Sequence, residues 1–210
     1  MNNLVIIGVG GFGREVAWLV DRINKIDLKW NIIGFIDDNE ELHGKTINGY
    51  LVLGGCEWLN ENKNNVYAIC SIGSSTIRKK VIQKLNGVKF ATMIDPNVIV
   101  SDRVVIGEGS IICAGSIITV DVEIGSHVII NLDCTIGHDA VLKNFVTLYP
   151  SVNISGNTIL GERVEMGTGS QTIQGRNIGV GTIVGAGAVV VKDLPEGCTA
   201  VGIPANVIKQ

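Results

Sequence analysis

Two stretches of this chain carry residues able to do chemistry. The first is His138, followed directly by Asp139. A neutral imidazole takes up a proton near neutral pH, and an adjoining carboxylate raises its basicity, so the pair reads as a general base with its tuning acid. The second is Gly8-Val9-Gly10-Gly11-Phe12-Gly13, in which Gly8, Gly10 and Gly13 satisfy G-x-G-x-x-G. It lies between the apolar run 4–7 and a helical pattern, and Asp37-Asp38 closes the next apolar run. Bare backbone at a helix N-terminus accepts a phosphate, and a carboxylate after the second strand bonds a ribose or a base. A glycine turn kept only for strand–helix packing would show the same three glycines. The agreement of fingerprint, element order and acid favours a ligand.

The elements that hold these residues obey two different rules. Residues 1–90 read as a Rossmann-like α/β half-domain, with strands over 4–7, 31–36 and 66–71 and helices over 14–26 and 76–85. Val16, Leu19, Val20 and Ile23 share one face of the first helix, and Ile77, Val81, Ile82 and Leu85 one side of the second. Residues 91–210 follow a hexad. Every sixth residue from Ile94 to Val190 is apolar, Thr172 excepted, and the residue two places earlier is small or β-branched, Arg176 excepted. Neither a 3.6-residue helix nor a period-2 strand repeats every six residues. The pattern predicts a parallel β-helix in which residues three hexads apart stack, with the glycine that often follows the apolar residue at the corner. In that register His138 faces outward on a corner, above Val120 and below Gly156, whose missing side chain leaves space over the imidazole.

Other functions fit less well. A zinc hydratase of the γ-carbonic anhydrase kind shares the coil but needs three histidine ligands on it, and only His127 and His138 are there, so no metal is expected. His127 has neither a neighbouring acid nor an open stacking position and reads as a surface residue; His43 reads as solvated in a polar loop. Hydride transfer on NAD fits poorly, because the glycine-loop segment is half the size of a dinucleotide fold. The net charge of −3 with no basic block speaks against nucleic acid. No apolar run reaches the length of a membrane span, and no signal peptide is legible. Cys56, Cys70, Cys113, Cys134 and Cys198 lack metal-type spacing and suit free thiols in a reducing cytoplasmic setting; Cys134 falls on a small inward position and reads as core.

Several motifs then occur together in a telling order: the glycine loop, Gly34-Phe35-Ile36-Asp37-Asp38, Ser71-Ile72-Gly73-Ser74, the hexads, Ile136-Gly137-His138-Asp139 and Gly185-Ala186-Gly187-Ala188. Together they resemble bacterial sugar acetyltransferases with an N-terminal nucleotide-sugar domain and a left-handed β-helix. Both nucleotide-aminosugar N-acetyltransferases and sialic acid O-acetyltransferases belong to that group, and the resemblance spans essentially the whole chain. It implies the left hand of the coil, acetyl-CoA as donor, and a homotrimer with active sites between neighbouring coils. It implies His138 as general base and Asp139 as the acid that tunes it. Gly10, Gly11, Phe12, Asp37, Asp38 and Gly73 are implied as contacts to a nucleotide-linked amino sugar. Thr147, Gly156, Thr168 and Ala186 are implied at the acetyl-CoA site, Thr147 standing where some members carry a second histidine. N-acetylation of a nucleotide amino sugar in surface-glycan synthesis is the favoured activity. O-acetylation of a sialic acid or related hydroxyl is the alternative, and the phosphate-ready glycine loop tilts towards the former.

Overall fold

The computed structural model describes residues 1–209. Contacts divide the chain into two compact units, one of Met1–Gly73 with Ile77–Pro96, the other of Ser74–Thr76 with the segment from Asn97.

The first unit is an α/β sheet structure. Its elements are β1 (Asn2–Ile7), α1 (Gly11–Ile26), β2 (Trp30–Ile36), β3 (Thr46–Ile47), β4 (Tyr50–Gly54), α2 (Cys56–Asn62), β5 (Tyr67–Cys70), α3 (Ser75–Gln83) and β6 (Lys89–Phe90). The strand order is β3-β4-β2-β1-β5-β6, parallel except for the β3–β4 hairpin. Leu4, Val5, Ile6 and Ile7 are all buried, as a central parallel strand covered on both faces requires. Gly34 lets β4 approach β2, since a Cβ there would stand 2.6 Å from Leu51 O. The helix expected from residue 14 begins at Gly11. The β3–β4 hairpin and α2 were not foreseen, although Asn48-Gly49, both left-handed (φ 52° and 82°), is a strong hairpin signal.

The second unit is a left-handed parallel β-helix. From Ile99 to Val190 a two-residue strand recurs every hexad, too short to persist alone. Those inside the coil are held by ladders to the coils on either side. Ile117-Ile118 pairs with Thr135-Ile136, and that strand with Asn153-Ile154, a step of 18 residues. Three such ladders make the three faces. The hexad residues from Ile112 onward point inward and are buried, the apolar ones each stabilising the fold by roughly 1.5–3 kcal/mol. Both breaks in the pattern have a local cause. The Thr172 hydroxyl accepts the Ser155 amide at 3.1 Å and meets the Thr158 hydroxyl at 3.3 Å, so its polarity is satisfied inside the coil. The Arg176 guanidinium meets Asp193 at 3.7 Å.

The corners correct one expectation. Left-handed φ falls not at the glycine after each inward residue but two places later, at Asp121, Asp133, Asp139 and Asn157 among others. Short Asp and Asn side chains tolerate that conformation. The glycines answer a different constraint, close approach of the next coil. A Cβ on Gly137 would stand 2.6 Å from Gly156 N, and one on Gly161 2.8 Å from Val180 N.

Two outcomes follow from this packing. Gly161→Ala should destabilise by about 1–3 kcal/mol through overpacking. Gly175→Asn, at φ 68° with open space around it, should cost less than about 1 kcal/mol. Urea unfolding of the two variants checks the contrast. All five thiols are free and buried, with burial foremost pushing Cys56 up to about 12 and Cys70 and Cys134 to about 11. A thiol reagent at pH 8 should therefore label the native protein far more slowly than the same protein in guanidinium, where all five react.

Candidate active site

The corner after strand Thr135–Ile136 presents His138 and Asp139 to solvent. His138 Nδ1 lies 2.7 Å from Asp139 Oδ2. A carboxylate can only accept, so Nδ1 donates, and in a neutral imidazole the lone pair then lies on Nε2. Asp139 is placed by its left-handed backbone (φ 58°) and by its amide, which donates to Val120 O one coil away at 3.2 Å. On the other side Asn157 N donates to His138 O at 2.8 Å. Gly156 stacks on the imidazole, and a Cβ there would stand 2.6 Å from Nε2 and 2.7 Å from Cε1. The expected column of Val120, His138 and Gly156 is thus realised, and it leaves the histidine 61% exposed.

Thr168 and Ala186 stack on another corner, the one after Glu165–Met166, and both are exposed. Gly167 provides their close approach, since a Cβ on it would meet Ala186 N at 2.6 Å. One chain therefore puts His138 with Gly156 on one edge of the prism and Thr168 with Ala186 on another. Thr147 is 1% exposed on a face of the coil, its amide donating to Val164 O.

His127 is not a surface residue. It is 6% exposed and stacks on Phe145 one coil away, with centroids 5.2 Å apart and planes 13° from parallel. The register causes this, since Gly109 on the coil before it has no side chain to keep the ring out. His43 is exposed as expected, but its Nε2 bonds Asp37 O at 2.8 Å.

In the first unit the three fingerprint glycines have different reasons to be glycine. Gly8 is left-handed (φ 99°), and Gly13 packs directly against Gly8 O. Gly10 has ordinary φ (−63°) and open space where a Cβ would go. Packing explains the first and third glycine but not the second, which matches the fingerprint's division of labour for backbone approach to a phosphate. Asp37 is tied to this loop through Val9 N (3.3 Å) and to its own turn through Asn39 N (3.0 Å).

A cleft of about 360 Å³ opens beside the loop, lined by Gly8, Asp37 and Asp38, the apolar Ile72, Ile77 and Val81, and the cations Lys80 and Lys84, among others. Asp38 Oδ2 meets Lys84 Nζ at 2.6 Å, and Oδ1 accepts the Cys56 amide at 3.0 Å. Burial pushes the Asp38 carboxyl up, but Lys84 and the Cys56 amide outweigh it and hold it below its ordinary range. Gly10, Gly11, Phe12 and Gly73 lie outside this lining. Gly11 borders a shallow groove with Arg14, Trp18 and Asn48, and half-buried Phe12 is in the first turn of α1. Gly73 O accepts the buried Arg78 guanidinium at 2.9 Å. Sequence reasoning missed the two lysines. They flank Ile77 and Val81 at helical spacing, so a search for cations on the face of α3 nearest the acid would have found them.

A left-handed hexad coil with an exposed histidine–aspartate pair, in one chain with a glycine-loop α/β unit, marks the hexapeptide-repeat acyltransferase class. Comparison with known proteins narrows the class. Residues 3–85 match the PglD N-terminal domain family. GDP-perosamine N-acetyltransferase of Escherichia coli O157:H7 is 32% identical over 218 residues, covering 100% of this chain and 98% of the relative. A histidine-to-asparagine mutant of perosamine N-acetyltransferase from Caulobacter crescentus, solved with CoA and GDP-perosamine, superimposes with a TM-score of 0.92 at 30% identity over 100% of this chain and 98% of that one. The acetyltransferase domain of PglB from Neisseria gonorrhoeae, in complex with acetyl coenzyme A, gives 0.89 at 31% identity over 99% and 100%. The chain belongs to the bacterial sugar acetyltransferase family with an N-terminal nucleotide-sugar domain and a hexapeptide-repeat β-helix. Among the described residues no cluster of three or more His, Cys, Asp or Glu could hold a metal, and no helix is long and apolar enough to cross a membrane.

The glycine assignments predict a contrast in stability. Gly13→Ala should be severely destabilising, because its Cβ would press on backbone rather than on a side chain that can move. Gly10→Ala should cost less than about 1 kcal/mol, the scale of an N-cap change. Thermal unfolding of both variants checks it.

Proposed function

We propose that the protein transfers the acetyl group of acetyl-CoA to the amino group of a nucleotide-linked amino sugar. In this reading residues 1–90 hold the nucleotide sugar, with Gly10, Gly11, Phe12, Asp37, Asp38 and Gly73 at or near it. The coil from residue 91 presents Thr168 and Ala186 to acetyl-CoA and supplies the base, while the buried Gly156 and Thr147 shape the coil from within rather than touch the donor. The observation that carries the chemistry is the His138–Asp139 pair beneath Gly156. The acceptor is supported by full-length similarity to enzymes solved with CoA and GDP-perosamine.

The neutral amine attacks the thioester carbonyl, and His138 Nε2 takes a proton as the C–N bond forms. Asp139 stabilises the imidazolium that results. When the tetrahedral intermediate collapses, the C–S bond breaks and His138 returns the proton to the departing CoA sulfur. No acyl-enzyme is needed. Holding the two substrates together makes the step effectively unimolecular, which is the larger share of the work. Separation of His138 and Thr168 onto different edges favours a homotrimer, in which an edge of one copy faces an edge of the next. The free thiols and the nucleotide-sugar acceptor suit the cytoplasm, and the product would enter surface-glycan synthesis.

CoA release with a nucleotide amino sugar tests the reading. His138→Ala should lower kcat about 10²–10⁴-fold with little change in KM for the nucleotide sugar. Gly156→Ala leaves the base in place but drives a methyl into the imidazole, and should cost on the order of 10²-fold in kcat. Near-normal kcat in His138→Ala would remove it from the role.

A further inference from the structure

The cleft of the first unit has a polar edge in a definite order. Lys84 Nζ bonds Asp38 Oδ2 at 2.6 Å, and Asp38 Oδ1 accepts the Cys56 amide at 3.0 Å. Each carboxylate oxygen keeps a lone pair, and the ammonium keeps further N–H donors. Read along the edge, the groups are donor (Nζ), acceptor (Oδ2) and acceptor (Oδ1). Beside them Ile72, Ile77 and Val81 form an apolar wall. Ile77 is 52% exposed, an uncovered apolar surface next to a charged edge. A volume of about 360 Å³ admits a flat ring system.

We infer that this cleft seats the nucleobase and that Lys84 and Asp38 together read guanine by its O6, N1–H and 2-amino edge. The inference rests on the nucleotide-sugar reading and makes it specific. Guanine presents acceptor, donor, donor, the complement of Nζ, Oδ2, Oδ1. The carboxylate takes N1–H and the amino group side by side, a charge-assisted bidentate pair. Uracil and thymine present acceptor, donor, acceptor, so their last carbonyl would face Oδ1, oxygen against oxygen. Adenine and cytosine turn an amino group towards the Lys84 ammonium, donor against donor. Asp37 has a different place: it is bonded to the glycine loop through Val9 N and to Asn39 N, at the position where this fold holds a ribose. The ionised state that the reading needs is supported by Lys84 itself, which helps hold the Asp38 carboxyl low.

Calorimetry on the full chain with GDP, IDP, XDP, UDP and ADP tests the assignment. GDP should bind tighter than UDP or ADP by about tenfold or more, the scale of one good bidentate pair. IDP, which lacks only the 2-amino group, should fall between. Asp38→Asn replaces one acceptor by a donor, and should shift the preference from GDP to XDP, whose C2 carbonyl replaces the amino group. Lys84→Met should narrow the gap between GDP and ADP. Thermal unfolding of the variants guards against misfolding, and the wild-type series stands without them. Binding of several diphosphates with no preference for GDP overturns the base assignment and leaves the nucleotide-sugar reading intact. Binding of none overturns both.

Discussion

The hexad register is the constraint on which the coil and its chemistry depend. No strand of the β-helix could stand alone, so each exists because inward residues stack on inward residues one coil away. A slip of one residue would put the buried ladder outside and the corner residues inside. The same register puts Gly156 over His138, and it puts Gly109 under His127. One glycine clears space at an exposed imidazole and the other lets an imidazole sink against Phe145. Two histidines on one scaffold acquire opposite environments from what lies one coil away.

Backbone conformation completes the site. Asp139 occupies the left-handed corner position, where Asp and Asn recur along the coil for conformational reasons. Its carboxylate reaches His138 Nδ1 from there. A residue type that suits the turn also orients the imidazole, so two demands coincide at that position. In the α/β unit the demands separate. Gly8 and Gly13 serve the fold, while Gly10 has no packing duty and remains available to a ligand.

Much of this was legible in the sequence because it is periodic. The coil, its inward residues, the stacking of His138 with Gly156 and the buried state of Cys134 all follow from counting in sixes. The turn position did not, since glycine was read as a corner residue when its role is close approach between coils. His127 was misread because burial on a corner depends on the pairing of Gly109 below with Phe145 beyond, a three-coil relation rather than a property of its neighbours in sequence. Helical spacing marks Lys80 and Lys84 as cations but not their partner, because the Asp38–Lys84 pair joins residues just beyond β2 and α3, across 46 residues. The buried Arg78 bonds the carbonyls of Ile72 and Gly73, which turn towards it, a pairing that residue type alone does not announce.

The central claim is that the glycine-loop unit and the His138 corner belong to one reaction, acetyl transfer to an amine on a nucleotide sugar. Mass spectrometry of the unaltered enzyme with acetyl-CoA and mixed nucleotide sugars, with and without amino groups, tests it most directly. The account predicts one acetyl group per molecule on an amino-bearing nucleotide sugar, retained through mild base as an amide is, with an equal amount of CoA released. Acetylation of sugars lacking an amine, or a product that loses its acetyl group in mild base as an ester does, would contradict it.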